Sequence, residues 1–287
     1  MKKVRKAVIP VAGFGTRFLP QTKAMPKEMI PVMDKPVIQY IAEEAVNSGI
    51  EEIIFITSAN KRAIEDHFDK SFELEYLLKK KEKIEELEQI KKIHNMAKFV
   101  YTRQSEPLGL GHAILCAKNI VGDEPFVACL GDDIVDGKAP ACKQLIDIYE
   151  KYESPVVGVF EVPKNEVNKY GVIDPKKEFE DKAIECKGLV EKPEIQSAPS
   201  NLAIGGRYVF TPDIFQTLEQ TKPGKGGEIQ LTDAMQTLAK NRQFMAFKYD
   251  GIYHDCGNKL NYLKTVVKFA LRDKDIGPEL KKYIQEL

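Results

Sequence analysis

The chain has 287 residues, enough to bury roughly three quarters of its unfolded surface as one large α/β domain or two smaller ones. Its 43 basic residues equal its 43 acidic ones, so no global field draws it to nucleic acid or an anionic membrane, and phosphate recognition has to be local. Five scattered cysteines without a C-x-x-C pair argue against a disulfide framework, and the basic start "MKKVRKAVIPVAG" lacks an apolar run of signal-peptide or membrane-span length, so a cytoplasmic address is expected.

The first predicted element is the strand "KAVIPVA", which runs into "GFGTRFLPQTKAMPKEMIP". Gly13 and Gly15 stand as in a dinucleotide-binding turn, but Phe18 takes the place of the third glycine of G-x-G-x-x-G, and the P-loop spacing is absent too. Pro20, Pro26 and Pro31 forbid a continuous helix, which predicts a long, stiff, extended loop. Its glycines let backbone N–H groups approach an anion, and Arg17, Lys23 and Lys27 add cations. A triphosphate fits this pattern, and a tight turn with exposed lysines is the plainer reading.

"KPVIQYIAEEAVNSG" follows as a helix with Val37, Ile41 and Ala45 on one face, Pro36 at its start and Gly49 at its end. The runs "EEIIFITS", "AKFVYTRQ", "PFVACLGDD" and "PVVGVFEV" read as further strands, apolar on both faces, with "GHAILCAKNIVG" and "PACKQLIDIYEKY" as helices between them. This alternation predicts a doubly wound sheet whose ligand sits beyond the carboxyl ends of its strands. The charged stretch at 74–94 is expected to be a solvated helix laced with i,i+4 ion pairs.

Beyond Lys164 the strands shorten ("YGVID", "GLVEKP", "AIGGRYVF", "FMAFKYDGIYHDCG"), two helical stretches intervene, and the tail reads as helices broken near Gly277 and Pro278. Asp132 and Asp133 end an apolar strand, where paired carboxylates suit Mg²⁺ or serve as caps. Asp255 in "YHDCG" is a second candidate ligand. Gln104, with Gly109 and Gly111 in the next glycine loop, can read a nucleobase edge, because its amide both donates and accepts; a helix-start loop explains it equally well. Glu191 can accept from vicinal sugar hydroxyls and Lys192 can neutralise a phosphate, beside Gly171 in "KYGVI", unless Pro193 marks only a surface turn. The histidines at 67, 94, 112 and 254 read as packing or capping residues. No G-x-S-x-G, H-E-x-x-H or metal-spaced Cys/His cluster supports acyl transfer or zinc catalysis.

In order, "AGFGTRFLPQTKAMPKEMIP", "GLGHA", "LGDD", "KYGVI", "VEKP", "GGEIQLTDA" and "YHDCG" span nearly the whole chain, and with them it resembles the sugar-nucleotide pyrophosphorylases, in particular their bacterial UDP-glucose-forming branch. The resemblance implies an α/β fold: a Rossmann-like, mixed, mostly parallel sheet flanked by helices, of glycosyltransferase-A type, with a smaller sugar-binding extension and C-terminal helices. It implies a nucleotide-binding half at 1–162, a sugar-phosphate half of the same compact domain at 163–257, and helices at 258–287 that could join copies into a homodimer or homotetramer.

The implied reaction joins UTP and α-D-glucose 1-phosphate into UDP-glucose and pyrophosphate, using Mg²⁺. Carried across residue by residue, Ala12, Gly13, Gly15, Thr16 and Glu28 would lie on the nucleotide side, with Gln104 and Gly109 at the uracil. Arg17 and Lys27 would hold the triphosphate, Asp132 and Asp255 the metal, Asp133, Gly171 and Glu191 the glucose, and Lys192 the sugar phosphate. Phe14, between the glycines, departs from residues common in related sequences. Two rivals share the fold, a dTTP-using enzyme and a non-catalytic nucleotide-sugar sensor. A nicotinamide oxidoreductase lacks both its third glycine and the acid after its second strand.

Overall fold

The computed structural model describes residues 2–287. In chain order its strands are β1 (Lys6–Pro10), β2 (Pro31–Val32), β3 (Lys35–Pro36), β4 (Glu52–Thr57), β5 (Lys98–Arg103), β6 (Phe126–Cys129), β7 (Asp133–Asp136), β8 (Val156–Glu161), β9 (Gly171–Glu178), β10 (Ala183–Glu191), β11 (Leu202–Phe210), β12 (Met245–Lys248) and β13 (Ile252–Asp255). Nine of them form one sheet in the order β5-β4-β1-β6-β11-β8-β12-β10-β9, and β2 with β3 and β7 with β13 form two small ribbons. Following the pairings across the sheet, seven strands run one way and only β10 and β11 run against them. The sheet is therefore mixed and mostly parallel, and it crosses the 162/163 boundary without a break because β11 inserts between β6 and β8.

The uninterrupted apolar strands follow from burial on both faces. In β1, Ala7 and Ile9 pack into one core layer and Val8 into the other; in β4, Ile53 and Phe55 oppose Ile54 and Ile56 in the same way. Val37, Ile41 and Ala45 of helix Val37–Asn47 are buried on a single face, as their spacing predicts.

Three local readings need correction. The proline-rich loop is not extended: it folds into single 3-10 turns at Thr16–Phe18, Gln21–Lys23 and Lys27–Met29. Proline excludes an α-helix interior yet is tolerated just ahead of a turn, where Pro20 and Pro26 stand. "GHAILCAKNIVG" divides into helices Leu110–Leu115 and Lys118–Val121. The charged stretch forms two helices, Phe72–Lys80 and Ile84–His94, parted at Glu82 with its left-handed φ of 56°. Its local ion pairs are i,i+3, Lys83–Glu86 and Lys91–Glu88. The tail breaks as expected, into helices Lys259–Arg272 and Gly277–Glu286. Among the described residues no helix is long and apolar enough to cross a membrane.

Candidate active site

Strands β1, β4, β5 and β6 present their carboxyl ends along one edge of the sheet. The chain leaves β1 towards β4 and β5 on one side and later returns to β6 on the other, so strand order reverses at β1. Ligands of open α/β sheets bind at such a reversal. A cleft of about 450 Å³ opens there, lined by Ala12, Gly13, Gly15, Thr16, Lys27, Glu28, Gln104, Gly109 and Asp132. These nine residues, from three separate loops, thus meet in one space. A second depression of about 580 Å³, bordered by Tyr170, Asp255 and Lys264, contains none of the glycine turn.

Thr22 fastens the 15–27 loop by donating from Oγ1 to the Gly15 carbonyl at 2.8 Å. Phe18 turns inward, 8% exposed, with its ring edge-on to Tyr262 at 5.9 Å. A third glycine is missing here because the position anchors the loop to helix Lys259–Arg272. Lys27 Nζ reaches Asp132 Oδ2 at 2.5 Å. Burial opposes the Lys27 charge, but Asp132 and Glu28 outweigh it and leave the pKa above the ordinary lysine value. Beneath it Lys61 donates to Glu28 at 2.7 Å, with side chains 4% and 1% exposed. Burial raises the Glu28 pKa and lowers that of Lys61, so their mutual attraction does not fully offset desolvation.

Gln104 donates from Nε2 to the Gly109 carbonyl at 3.0 Å and lies 3.0 Å from His112 Nδ1. With the amide nitrogen engaged, Oε1 remains to accept from a ligand donor. His112, read from sequence as a cap or packing residue, thus orients Gln104. Gly109 has φ 96°, and a side chain there would meet Glu228 Cβ at 2.8 Å, which brings Glu228 to the cleft rim.

Glu191, expected on the sugar side, is held at both oxygens. Oε2 accepts from Thr232 Oγ1 at 2.7 Å and Oε1 lies 3.0 Å from Lys192 Nζ. A Cβ on Gly171 would lie 3.1 Å from Glu191 Oε2 and 3.3 Å from Thr232 Oγ1, so Gly171, Glu191 and Thr232 converge. Burial raises the Tyr208 pKa, and Asp133 and Glu191 both raise it further, which puts the start of β7 and the Glu191 carboxylate in one field.

Asp133 and Arg17, two expected site residues, lie outside the cleft lining. Asp133 is 3% exposed, with Oδ2 lacking a hydrogen-bond partner in the protein, and burial together with the Asp132 charge pushes it up to about 8. It faces the interior beside Gly206, where a Cβ would lie 2.2 Å from Oδ2, and so is not turned to a sugar in the cleft. β7 begins at Asp133, which pairs with Asp255 of β13, whereas Asp132 lies in the loop just before the strand. Arg17 is exposed, outside the cleft lining, and has no ion-pair partner among the described residues, whereas its neighbour Thr16 lines the cleft.

Asp132 and Asp255 fit a divalent cation. Both carboxylates close over Gly257, where a Cβ would lie 2.5 Å from Asp132 Oδ2 and 3.1 Å from Asp255 Oδ1. Two converging carboxylates are a donor set that suits Mg²⁺, which completes its shell with phosphate oxygens and water.

The model of the family described as "Nucleotidyl transferase" matches residues 6–270. The chain belongs to that family. It is 55% identical to the UTP–glucose-1-phosphate uridylyltransferase of Bacillus subtilis over 287 residues, covering 100% of this chain and 98% of the relative. A UTP-bound UGPase from Acinetobacter baumannii superposes with a TM-score of 0.91 at 43% identity, covering 99% of both chains. A UDP-glucose pyrophosphorylase complexed with UDP-glucose gives 0.85 at 44% identity, covering 93% of this chain and 98% of that one.

Lys61, Thr232, Glu228 and Ser58, whose Oγ lies 3.1 Å from the Ala12 carbonyl, went unnoticed as site residues in the sequence. Thr232 had a signal, since it sits within "GGEIQLTDA". A lysine in "SANK" reads as a solvated turn, and only the fold brings it to Glu28.

Proposed function

We propose that this nucleotidyltransferase joins UTP and α-D-glucose 1-phosphate to give UDP-glucose and pyrophosphate. The 55% identity along the whole chain to a UTP–glucose-1-phosphate uridylyltransferase carries this reading. The gathering of the glycine turn, Lys27, Gln104 and Asp132 around one cleft supports it.

The sugar phosphate attacks the α-phosphorus of UTP in line and pyrophosphate leaves. The attacking oxygen is already ionised near neutral pH, so no general base is required. Repulsion is the obstacle: two negative charges meeting one at about 5 Å repel by roughly 7 kcal/mol at an effective dielectric of about 20. Lys27 and Arg17 hold the triphosphate and the departing pyrophosphate, while Lys192 holds the incoming phosphate. Arg17 reaches phosphate oxygens from the rim of the cleft rather than from its wall. The backbone of Ala12 and Gly13 approaches the nucleotide, and Gln104 Oε1 accepts from the N3–H of uracil. Glu191 accepts from glucose hydroxyls over the bare backbone of Gly171. Asp132 and Asp255 would hold Mg²⁺, which when bound supplies charge neutralisation at the phosphates.

Incubating the chain with Mg²⁺ and a matrix of UTP, dTTP and hexose 1-phosphates, with products read by mass spectrometry, tests the assignment. UDP-glucose from UTP and glucose 1-phosphate is the expected main product; its absence, or a preference for dTTP, would overturn the reading. The exposed stripe Leu260, Leu263, Val267 and Leu271 on helix Lys259–Arg272 is our candidate contact between copies, checked by light scattering.

A further inference from the structure

Glu191 sits between two donors that differ in what else they must do. Lys192, half exposed, touches Glu191 Oε1 but belongs to the incoming phosphate once substrate binds. Its backbone is left-handed, φ 43°, and its N–H donates to the Tyr170 carbonyl at 3.1 Å, so the turn aims the side chain while its end stays free to swing. Thr232 has no second task. It is 7% exposed and lies in the first turn of helix Leu231–Asn241, and its hydroxyl donates to Glu191 Oε2. That oxygen is also the one nearest Gly171, where a Cβ would lie 3.1 Å from it, so the carboxylate sits close against the Gly171 backbone.

We propose that Thr232 is the positioning residue that keeps the Glu191 carboxylate aimed at the sugar hydroxyls while Lys192 leaves it for the sugar phosphate. The inference rests on the sugar-phosphate reading of this site. It assigns Thr232 no contact with the reacting atoms. Thr232 acts through Glu191 on how tightly, and how selectively, the hexose is held. Without its hydroxyl, Glu191 loses its permanent donor and, once Lys192 turns away, is free to rotate about its side-chain bonds.

Loss of a hydrogen bond to a charged group predicts a rise in KM for glucose 1-phosphate on the order of tenfold or more in Thr232→Val, with kcat and KM for UTP close to wild type. Discrimination against galactose 1-phosphate weakens, and Thr232→Ser restores both. Thr232→Ala removes the hydroxyl without replacing its bulk, so it serves if the valine variant does not fold. Steady-state kinetics with each substrate varied in turn is the measurement. A KM for glucose 1-phosphate within about twofold of wild type in the alanine variant overturns the proposal, as does an equal rise in KM for UTP or a failure of serine to restore binding. Wild-type turnover is measured first on the whole hexose 1-phosphate panel. If a different hexose is the substrate, the reaction assigned above fails while Thr232 is judged on that hexose by the same comparison; no product from any of them overturns both.

Discussion

Lys27 and Asp132 lie 105 positions apart in the chain, and their side chains meet at 2.5 Å beneath the glycine turn. The pair joins the loop after β1 to the end of β6. It sets the cation we propose for phosphate against the carboxylate we propose for the metal, so in the absence of ligands the two charges balance each other.

Asp132→Ala is therefore expected to raise the Mg²⁺ concentration for half-maximal rate by about tenfold or more. A magnesium titration at saturating substrates checks it, and an unchanged midpoint removes Asp132 from the metal site.

Lys192→Ala should lower turnover on the order of 10²-fold, comparable to removing one oriented electrostatic contact from a transition state. Single-turnover rates at saturating substrates separate this from weakened binding. Unaltered rates would take Lys192 out of the site.

Arg207 is wholly buried, bidentate to Glu44 at 2.8–3.2 Å, and it donates to the Asp133 backbone carbonyl at 2.7 Å. Glu44 in turn accepts from the Cys142 N–H. Burial opposes both charges, but each partner more than offsets it for the other, raising the Arg207 pKa and lowering that of Glu44. Arg207→Met should cost about 3–5 kcal/mol, because Glu44 is left buried and unpaired. Urea unfolding measures it, and adding Glu44→Leu is expected to recover part of the loss.

His67 and His254 are both held below the ordinary histidine value of 6.5, chiefly by burial. The unfolded chain then binds more protons than the folded one below about pH 6.5, so stability rises with pH there and is lost as pH falls through the folded values. The urea midpoint should drop between pH 7 and pH 5.5, and His67→Gln should flatten that drop. A midpoint that rises on acidification contradicts the sign.

The strands and the buried helix face were legible because their signal is local: burial on both faces leaves Ala7–Ile9 and Ile53–Ile56 apolar without alternation, and Val37, Ile41 and Ala45 repeat at helical spacing. Where a rule says only what proline forbids, the sequence could not choose among the remaining conformers, and the 15–31 loop folded into short turns instead of extending. The two charged helices parted at Glu82, where no glycine or proline announces a break.

The family and the main run of strands and helices could be read along the chain, together with the glycine turn, Lys27, Gln104 and Asp132 that line the cleft, since motifs and periodicities are properties of neighbouring positions. Only the tertiary structure decided which of those residues face one another. It turned Asp133 inward beside Gly206 and Asp132 towards Lys27. It left Arg17 exposed outside the cleft lining and brought Lys61 to Glu28 and Thr232 onto Glu191. Those pairings depend on strands crossing the sheet at a reversal of order, and no stretch of adjacent residues records that.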